Sequence, residues 1–345
     1  MIELPRPGKV ILDPALRKRI YVYGTSFSGK SYFANAFPNV FIISTDGNQV
    51  TTDRETINGE RVAKVWPSIL VSDMEMGMVG TKKIIKSGWV VFQEIVEQLK
   101  NNPGTFDTVV VDLVDDICEF CRKFVLDKNG WEHEDDGGYG RGWKAVSTEF
   151  DKWIFALNSL PIPNIIYISH DATVTVNPKR EATITTIKPN IQYKMACMIS
   201  SKMNFTGRTI AEDGVYRLEI KGSETVFGGG RADFANKEII LPETPNGCVG
   251  DTPIYTIIQK MYRGEQVEEV RPLVEEAKPK PIIKSKKATP VVNATEVIPE
   301  IPPETVPEPV PVAPVETPTE PVATEKPIKQ PYIRTQKKNT NEVKQ

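Results

Sequence analysis

Runs of β-branched and aromatic residues alternate along the first half of the chain with stretches of helical apolar spacing. Apolar positions three and four apart predict amphipathic helices over 87–99, over 116–125 and around Val146, Phe150 and Leu157. Strands alternating with helices are typical of an α/β fold with a mostly parallel central sheet flanked by helices. The predicted strands cover 19–23, 40–45, 106–113 and 164–170.

The second half of the chain adds two predicted β-hairpins. Period-two alternation over 173–186 predicts the first, with Lys179 and Arg180 at its tip. Residues 198–209 and 215–221 predict the second, around an acidic turn that contains glycine. We therefore expect added hairpins on the central sheet.

Two glycine-rich segments between these elements are predicted to be flexible loops. The first covers 129–143, and the second consists of three glycines followed by Arg231. His133 lies among carboxylates in the first loop, but no second His or Cys is near it, so a metal site there is disfavoured. A last helix is predicted from an N-cap at Asp251 to about residue 262.

Proline separates a C-terminal tail from the rest of the chain. Of the 28 prolines, 15 lie at or beyond Pro272, where Tyr332 is the only aromatic residue. Such a composition buries too little apolar surface to offset the entropy of ordering the chain. We expect 8–265 to form one large α/β domain and 272–345 to be a disordered, proline-rich tail that tethers or docks another protein.

Charge and hydropathy restrict the class of protein further. The net charge of −2 provides no general attraction to nucleic acid, so any such contact depends on local basic patches. The sequence has no apolar run of 18 residues and opens on an acidic, proline-containing segment, which predicts a cytoplasmic protein without a membrane span. Cys118 and Cys121 have C-x-x-C spacing without a second pair, which favours core thiols over zinc.

One motif carries clear chemistry. The segment Gly24-Thr25-Ser26-Phe27-Ser28-Gly29-Lys30-Ser31 fits G-x-x-x-x-G-K-[ST] and lies between a predicted strand and a predicted helix. In such a loop, backbone N–H groups bind a phosphate chain. Lys30 would reach the β- and γ-phosphates, and the Ser31 hydroxyl would complete a Mg²⁺ shell. The motif predicts binding of a nucleoside triphosphate, with ATP against GTP left open.

Three further strand ends are candidates for the catalytic edge. Asp112 ends a predicted buried strand and is the expected second Mg²⁺ residue. Its neighbour Leu113 stands where many such ATPases have a glutamate, so we assign the water-orienting role to Asp46, which could instead be a turn residue. Asp115 and Asp116 are alternatives to Asp46 or belong to the first turn of a helix. His170 (or Ser169) is placed to hydrogen-bond the γ-phosphate, or has no role.

These segments together resemble a RecA-type core. More closely, 18–235 resembles phage nucleotide-binding proteins of the AAA/RecA-like class, which include single-strand-annealing recombinases reduced to that core. The resemblance rests on the Gly24–Ser31 loop, the strand ends at Asp46, Asp112 and His170, and the Gly138–Trp143 segment. It implies a phage-encoded ATPase, located in the host cytoplasm and active in DNA recombination. RecA itself has Glu and Gln where this chain has Asp46 and His170, which leaves the hydrolysis rate open.

The resemblance also implies partners. DNA-contacting loops in that fold correspond to 130–143 and 172–187 here. Tyr139 and Trp143 would stack on bases of single-stranded DNA, and Arg141, between them in the sequence, would belong to the same DNA-binding segment. Lys179 and Arg180 would contact phosphates. RecA-like assemblies are homo-oligomers with the ATP site between subunits, and Arg231, or less favourably Lys221, would reach the neighbour's γ-phosphate.

Two functions remain open on the sequence. The first is an ATPase of DNA recombination or single-strand annealing, favoured by the basic hairpin tip. The alternative is an ATP-dependent replication or assembly factor without direct DNA binding. A small-molecule kinase is disfavoured because the sequence shows no arginine-rich lid after the phosphate loop.

Overall fold

The computed structural model describes residues 17–48, 54–57, 60–63, 66–79, 82–176, 184–223, 225–231, 234–242 and 247–273. Lys179 and Arg180, and almost all of the proline-rich tail, lie outside the described residues. The predictions for them stay predictions.

Helices and strands alternate as the apolar pattern predicts. The helices are α1 Lys30–Asn35, α2 Gly88–Asn101, α3 Val114–Asn129, α4 Arg141–Ser159, α5 Tyr193–Ser200 and α6 Ile254–Tyr262, with a 3₁₀ turn over Glu134–Gly137. The strands are β1 Lys18–Gly24, β2 Val40–Ser44, β3 Arg54–Ile57, β4 Glu60–Ala63, β5 Ser68–Leu70, β6 Met74–Val79, β7 Lys82–Lys86, β8 Thr108–Asp112, β9 Asn164–Val176, β10 Ile184–Pro189, β11 Phe205–Glu212, β12 Val215–Ile220, β13 Gly229–Gly230, β14 Lys237–Ile240, β15 Cys248–Val249, β16 Thr252–Pro253 and β17 Val270–Pro272.

The main sheet has the order β17-β14-β12-β11-β1-β9-β8-β2-β5, with β10 beside β9 and β13 beside β11. The six strands from β11 to β5 run parallel, and β12, β14 and β17 extend the sheet antiparallel. Because parallel strands end at the same edge, β1, β2, β8 and β9 bring the predicted site residues together. The predicted α/β fold with a mostly parallel sheet is confirmed.

Two apolar cores cover the two faces of this sheet. Strand β1 alternates, with Tyr21 in one core and Ile20 and Val22 in the other. Trp89 of α2 and Phe150 of α4 pack in the first core, whereas α1 and α6 supply the second. Burial of both faces explains why the parallel strands are almost continuously apolar.

Cys118 and Cys121 lie buried as free thiols in the first core, as their spacing in a predicted helix favoured. Within the described residues, no group of three metal-binding side chains is found. Nor does the described part of the chain contain a helix long and apolar enough to cross a membrane.

The segment 129–143, predicted as a flexible loop, is largely ordered. Glu134 is buried and pairs with Arg122 of α3, and the Asp136 carboxylate accepts hydrogen bonds from two backbone N–H groups of the preceding turn. A Cβ at Gly142 would lie 2.1 Å from the Glu134 carbonyl oxygen, so glycine here permits close packing rather than flexibility. Helix α4 begins two residues before Trp143.

Two predicted boundaries are wrong. Residues 198–200 belong to helix α5 rather than to a strand, because Met195, Ala196 and Ile199 form a helical face that packs in the first core. The last helix is not capped by Asp251. Thr252–Pro253 pairs with β15, so the helix starts at Ile254 with Pro253 as its N-cap.

We expect the effect of C-terminal truncation on the melting temperature to depend on whether the cut lies before or after residue 273. Removing 274–345 should leave the melting temperature nearly unchanged, because the tail has little apolar surface to bury. Removing 266–345 also deletes β17, which pairs with β14 through Val270, Arg271 and Pro272, and should lower the melting temperature by several degrees. Thermal unfolding of the two truncated chains tests this, and equal losses in both would contradict it.

Candidate functional site

Close packing fixes the glycine loop between β1 and α1. A Cβ at Gly24 would lie 2.3 Å from the Thr209 Oγ1 and 2.5 Å from the Thr209 carbonyl oxygen, so only glycine fits. The Ser28 hydroxyl donates to the Thr25 carbonyl at 2.7 Å and lies 2.6 Å from Thr209 Oγ1. Gly29 has φ 91°, a conformation that favours glycine. Strand β11 therefore supports the loop from below.

The Lys30 ammonium group lies inside this loop. Its Nζ donates to the carbonyls of Gly24 at 2.9 Å and Thr25 at 2.6 Å, and the side chain is buried. Burial lowers the pKa of Lys30, and Asp112 most strongly among the nearby carboxylates opposes that shift. The loop thus holds a cation at the place where a phosphate chain would bind.

Asp112 ends β8 beside this cation. Burial, and after it the Asp46 carboxylate, raise the pKa of Asp112 to about 7 against the opposing effect of Lys30. Ser44 of β2 and Ile168 of β9 are its neighbours in the sheet register. Two carboxylates near one lysine at a sheet edge are a suitable donor set for a divalent cation.

Asp46 lies at the same edge, held in a turn. Its Oδ1 accepts hydrogen bonds from Ser44 Oγ at 3.2 Å and the Asn48 N–H at 3.0 Å, and its Oδ2 accepts from Asn48 Nδ2 at 2.8 Å. Gly47 follows with φ 71°. Asp46 is therefore a turn residue, and it also lies close enough to Asp112 to raise the pKa of that carboxyl.

Thr45, which the sequence analysis did not single out, joins the ends of β2 and β8. Its N–H donates to the Asp112 carbonyl at 2.8 Å, its Oγ1 accepts from the Leu113 N–H at 3.1 Å, and it donates to Asp116 Oδ2 at 2.6 Å. Asp116 is therefore engaged in the first turn of α3. An isolated threonine at a strand end carries no motif that could have identified it.

His170 pairs in register with Gly24 and contacts Asp115. The Asp115 Oδ2 accepts the His170 backbone N–H at 3.1 Å and lies 3.7 Å from His170 Nδ1. Burial raises the pKa of Asp115, and the hydrogen bond from His170 opposes that shift. Asp115 thus holds the backbone of His170 and lies close to its ring, a pairing that sequence reasoning did not foresee.

A second ion pair that the sequence did not indicate joins β11 to β9, the two strands on either side of β1. Arg208 of β11 donates to Asp171 Oδ2 at 3.4 Å, and Asp171 directly follows His170. Asp171 is also among the carboxylates that raise the pKa of Lys30. Because Arg208 and Asp171 are 37 positions apart, no local pattern indicated the pair.

Arg231 is not brought to this edge within its own chain. It follows β13, which pairs with Phe205 at the opposite end of β11, and its Nη2 donates to the Ser201 carbonyl at 2.8 Å. Tyr139, Arg141 and Trp143 are exposed around the start of α4. A cleft of about 520 Å³ lies beside Trp143 and reaches Asp115 and Asp116.

The glycine loop, its buried lysine and the adjoining carboxylates at the end of a parallel sheet define a P-loop NTPase. The AAA domain family model matches residues 16–232, so the chain belongs to this family of nucleotide-binding ATPases. Among solved structures, the crystal structure of the RadB recombinase is similar, with 13% identity, a TM-score of 0.31 and coverage of 59% of this chain and 79% of that chain. A comparison with curated proteins finds no match.

We expect Asp112→Asn to raise the melting temperature of the nucleotide-free protein at pH 8. The folded pKa of about 7 exceeds the usual 3.8, so the folded chain binds more protons than the unfolded chain between these values. Stability contributed by this group therefore falls as pH rises from about 4 to 7. The gain should be a few degrees at pH 8 and vanish near pH 4.

Asp107→Asn is the matched control for this measurement. Asp107 is exposed and directly precedes β8, the strand that Asp112 ends. Thermal unfolding across this pH range measures both variants. A difference between Asp112→Asn and wild type that does not change with pH would contradict the prediction.

Proposed function

We propose that this chain is a phage-encoded, Mg²⁺-dependent ATPase that acts in DNA recombination or single-strand annealing in the host cytoplasm. The observation that carries the ATPase part is the convergence of Lys30, Asp112 and Asp46 at one sheet edge. The recombination part rests on the RecA-type resemblance and on the exposed aromatic residues around the start of α4.

Ser31 and Asp112 would hold Mg²⁺. The fit is supported by Asp112, whose pKa is raised by burial and by Asp46, because a divalent cation stabilises the ionised form of such a carboxylate. When bound, Mg²⁺ supplies charge stabilisation for phosphoryl transfer. Lys30 would add a positive charge from the protein itself at the β- and γ-phosphates of the nucleotide.

Asp46 is the proposed water-orienting base. Its position near Asp112 supports this role, and Asp115 is less suitable because one of its oxygens is engaged by the His170 N–H. In the turn, Asp46 remains exposed, so its carboxylate is accessible to water. His170, whose backbone N–H donates to Asp115, is the proposed γ-phosphate sensor.

Single-stranded DNA is the proposed polynucleotide. Tyr139 is fully exposed and Trp143 is 40% exposed, so both rings are available for base stacking, with Arg141 beside them. Strand β9 continues past His170 and pairs with β10. Lys179 and Arg180, which are proposed to contact phosphates, lie between these two strands in the sequence. The ATP site and the proposed DNA surface would thus share β9.

One observation favours the alternative, an accessory factor that does not bind DNA. The cleft beside Trp143 is lined by Asp115, Asp116 and Glu119. Its two cations have internal partners, because Arg122 pairs with Glu119 and Glu134, and Lys188 donates to the Ile191 carbonyl. Such a cleft repels phosphates more than it attracts them.

The ATPase rate with and without single-stranded DNA, at low and high salt, separates the two functions. The recombinase proposal expects stimulation that weakens as salt rises, because phosphate contacts release counterions. Trp143→Ala should reduce this stimulation and leave the basal rate unchanged. A basal rate that DNA does not alter at either salt concentration would favour the accessory factor.

Within the ATP site, we expect Lys30→Ala to abolish or greatly weaken binding of MgATP, because it removes the buried cation of the loop. Asp46→Asn should bind MgATP normally and hydrolyse it on the order of 10²-fold more slowly. Equilibrium binding and single-turnover hydrolysis measure these effects. Wild-type turnover in Asp46→Asn would assign the base elsewhere.

Arg231 is proposed to act on the neighbouring subunit's nucleotide. Its position away from its own Lys30 is compatible with action in trans only. Arg231→Ala should bind ATP and hydrolyse it about 10³-fold more slowly, and mixing with Lys30→Ala should restore part of the rate. Normal turnover by Arg231→Ala in an oligomeric sample would eliminate this role.

A further inference from the structure

His170 lies where strand β9 changes its neighbour in the sheet. Strand β9 pairs with β8 as far as Ile168 and with β10 from Asp171 onwards, so His170 lies between the two pairings. On its other side, His170 is the register partner of Gly24, the first residue of the phosphate loop. Buried backbone polar groups need partners, so at this change of neighbour the N–H and carbonyl groups of His170 are bonded by groups outside β8 and β10.

Two side chains hold the backbone of His170. The Asp115 Oδ2 accepts the His170 N–H at 3.1 Å, and the Ser169 hydroxyl donates to the His170 carbonyl at 3.0 Å. The Asn190 N–H donates to the same carbonyl at 2.9 Å. Asp115 lies in the first turn of α3, and only 8% of its side chain is exposed. The position of His170 beside the phosphate loop therefore depends on how firmly Asp115 and Ser169 are held.

A third polar side chain, Tyr21 of β1, approaches this pair from the core. Tyr21 is fully buried and is the register partner of Tyr167, and Ser169 lies two residues further along on the same face of β9. Burial raises the pKa of Tyr21 and that of Asp115, and the Ser169 hydroxyl opposes both shifts. The Asp115 charge also raises the pKa of Tyr21. The three side chains therefore form one polar cluster at the border of the first core.

The hydrogen-bonding groups of this cluster are complementary. Tyr21 Oη and Asp115 Oδ1 are both buried, and neither has a hydrogen-bond partner of ordinary length and geometry among the described residues. Ser169 donates its one hydroxyl proton to His170, so its oxygen is left to accept. The ionised Asp115 carboxylate also accepts only. Tyr21 thus supplies the donor that both acceptors need, and leaving such buried groups unpaired is costly.

We propose that the Tyr21 hydroxyl forms a shared hydrogen bond with Ser169 Oγ and Asp115 Oδ1 and thereby positions His170 at the phosphate loop. Tyr21 fixes these two side chains, and they fix the carbonyl and N–H groups of His170. Because Tyr21 is fully buried, it is a positioning residue that does not itself contact a nucleotide. The effect on catalysis rests on the proposed function, in which His170 senses the γ-phosphate. The hold on the His170 backbone does not rest on it.

Nuclear magnetic resonance of the full-length, nucleotide-free protein tests the hold on His170. The chain contains two histidines, so each imidazole gives its own Cε1–H signal. Tyr21→Phe should shift the His170 signal and leave that of His133, which is exposed beside the 3₁₀ turn, unchanged. The His170 amide should exchange with solvent about tenfold or more faster, beyond any change at core amides such as that of Ile166.

Tyr167→Phe is the matched control. Tyr167 is also fully buried in the first core, but its hydroxyl has a different partner, Asn158 Oδ1 at 3.2 Å. This variant should lower the melting temperature without changing the His170 signal or the exchange of the His170 amide. Ser169→Ala is the second test variant and should also speed that exchange. Tyr21→Phe should add less in the Ser169→Ala background than in wild type, because the two side chains share one hydrogen bond.

Kinetics test the consequence for the ATP site. Tyr21→Phe should bind MgATP as wild type does and hydrolyse it about tenfold more slowly in a single turnover. Weaker MgATP binding with unchanged turnover would overturn the positioning role. A folded Tyr21→Phe with an unchanged His170 signal and unchanged amide exchange would overturn the proposal at any ATPase rate. A wild-type protein without ATPase activity, together with the expected changes at His170, would support the hold on His170 and contradict the proposed function alone.

Discussion

The buried ammonium of Lys30 is the interaction on which the site depends. Its Nζ is held by the Gly24 and Thr25 carbonyls, so the loop is closed around a positive charge. That charge would be costly without the carboxylates of Asp112, Asp171 and Asp115, which offset the effect of burial on the Lys30 pKa. Asp112 ends β8, Asp171 lies in β9 and Asp115 lies in the first turn of α3.

This arrangement explains why the carboxylates are unequal. Asp112 is close to the cation but buried next to Asp46, so its pKa stays high in the chain alone. Asp46 is exposed and held by Ser44 and Asn48. One acid is therefore suited to bind a cation that stabilises its ionised form, and the other to contact water. The difference arises from burial, since the residue type is the same.

The sequence predicted the fold and the centre of the site because both depend on local patterns. The loop motif, each apolar strand and the acid that ends β8 can each be recognised from a few consecutive residues. The links between strand ends could not be predicted, because Thr45 with Asp116 and Arg208 with Asp171 join positions far apart in the chain. The 129–143 segment was misjudged for the same reason. Its glycines suggested flexibility, whereas Arg122 on another helix orders it through Glu134.

The edge strand of the main sheet lies beside the turn that holds Asp46. Strand β5 is the edge strand of the main sheet and precedes β6 by three residues. Its Leu70 side chain lies 3.9 Å from the position of a Cβ on Gly47, next to Asp46. The turn that holds Asp46 is therefore bordered by the edge strand β5 through Leu70 and Gly47. Its position depends on packing at the edge of the sheet as well as on the end of β2.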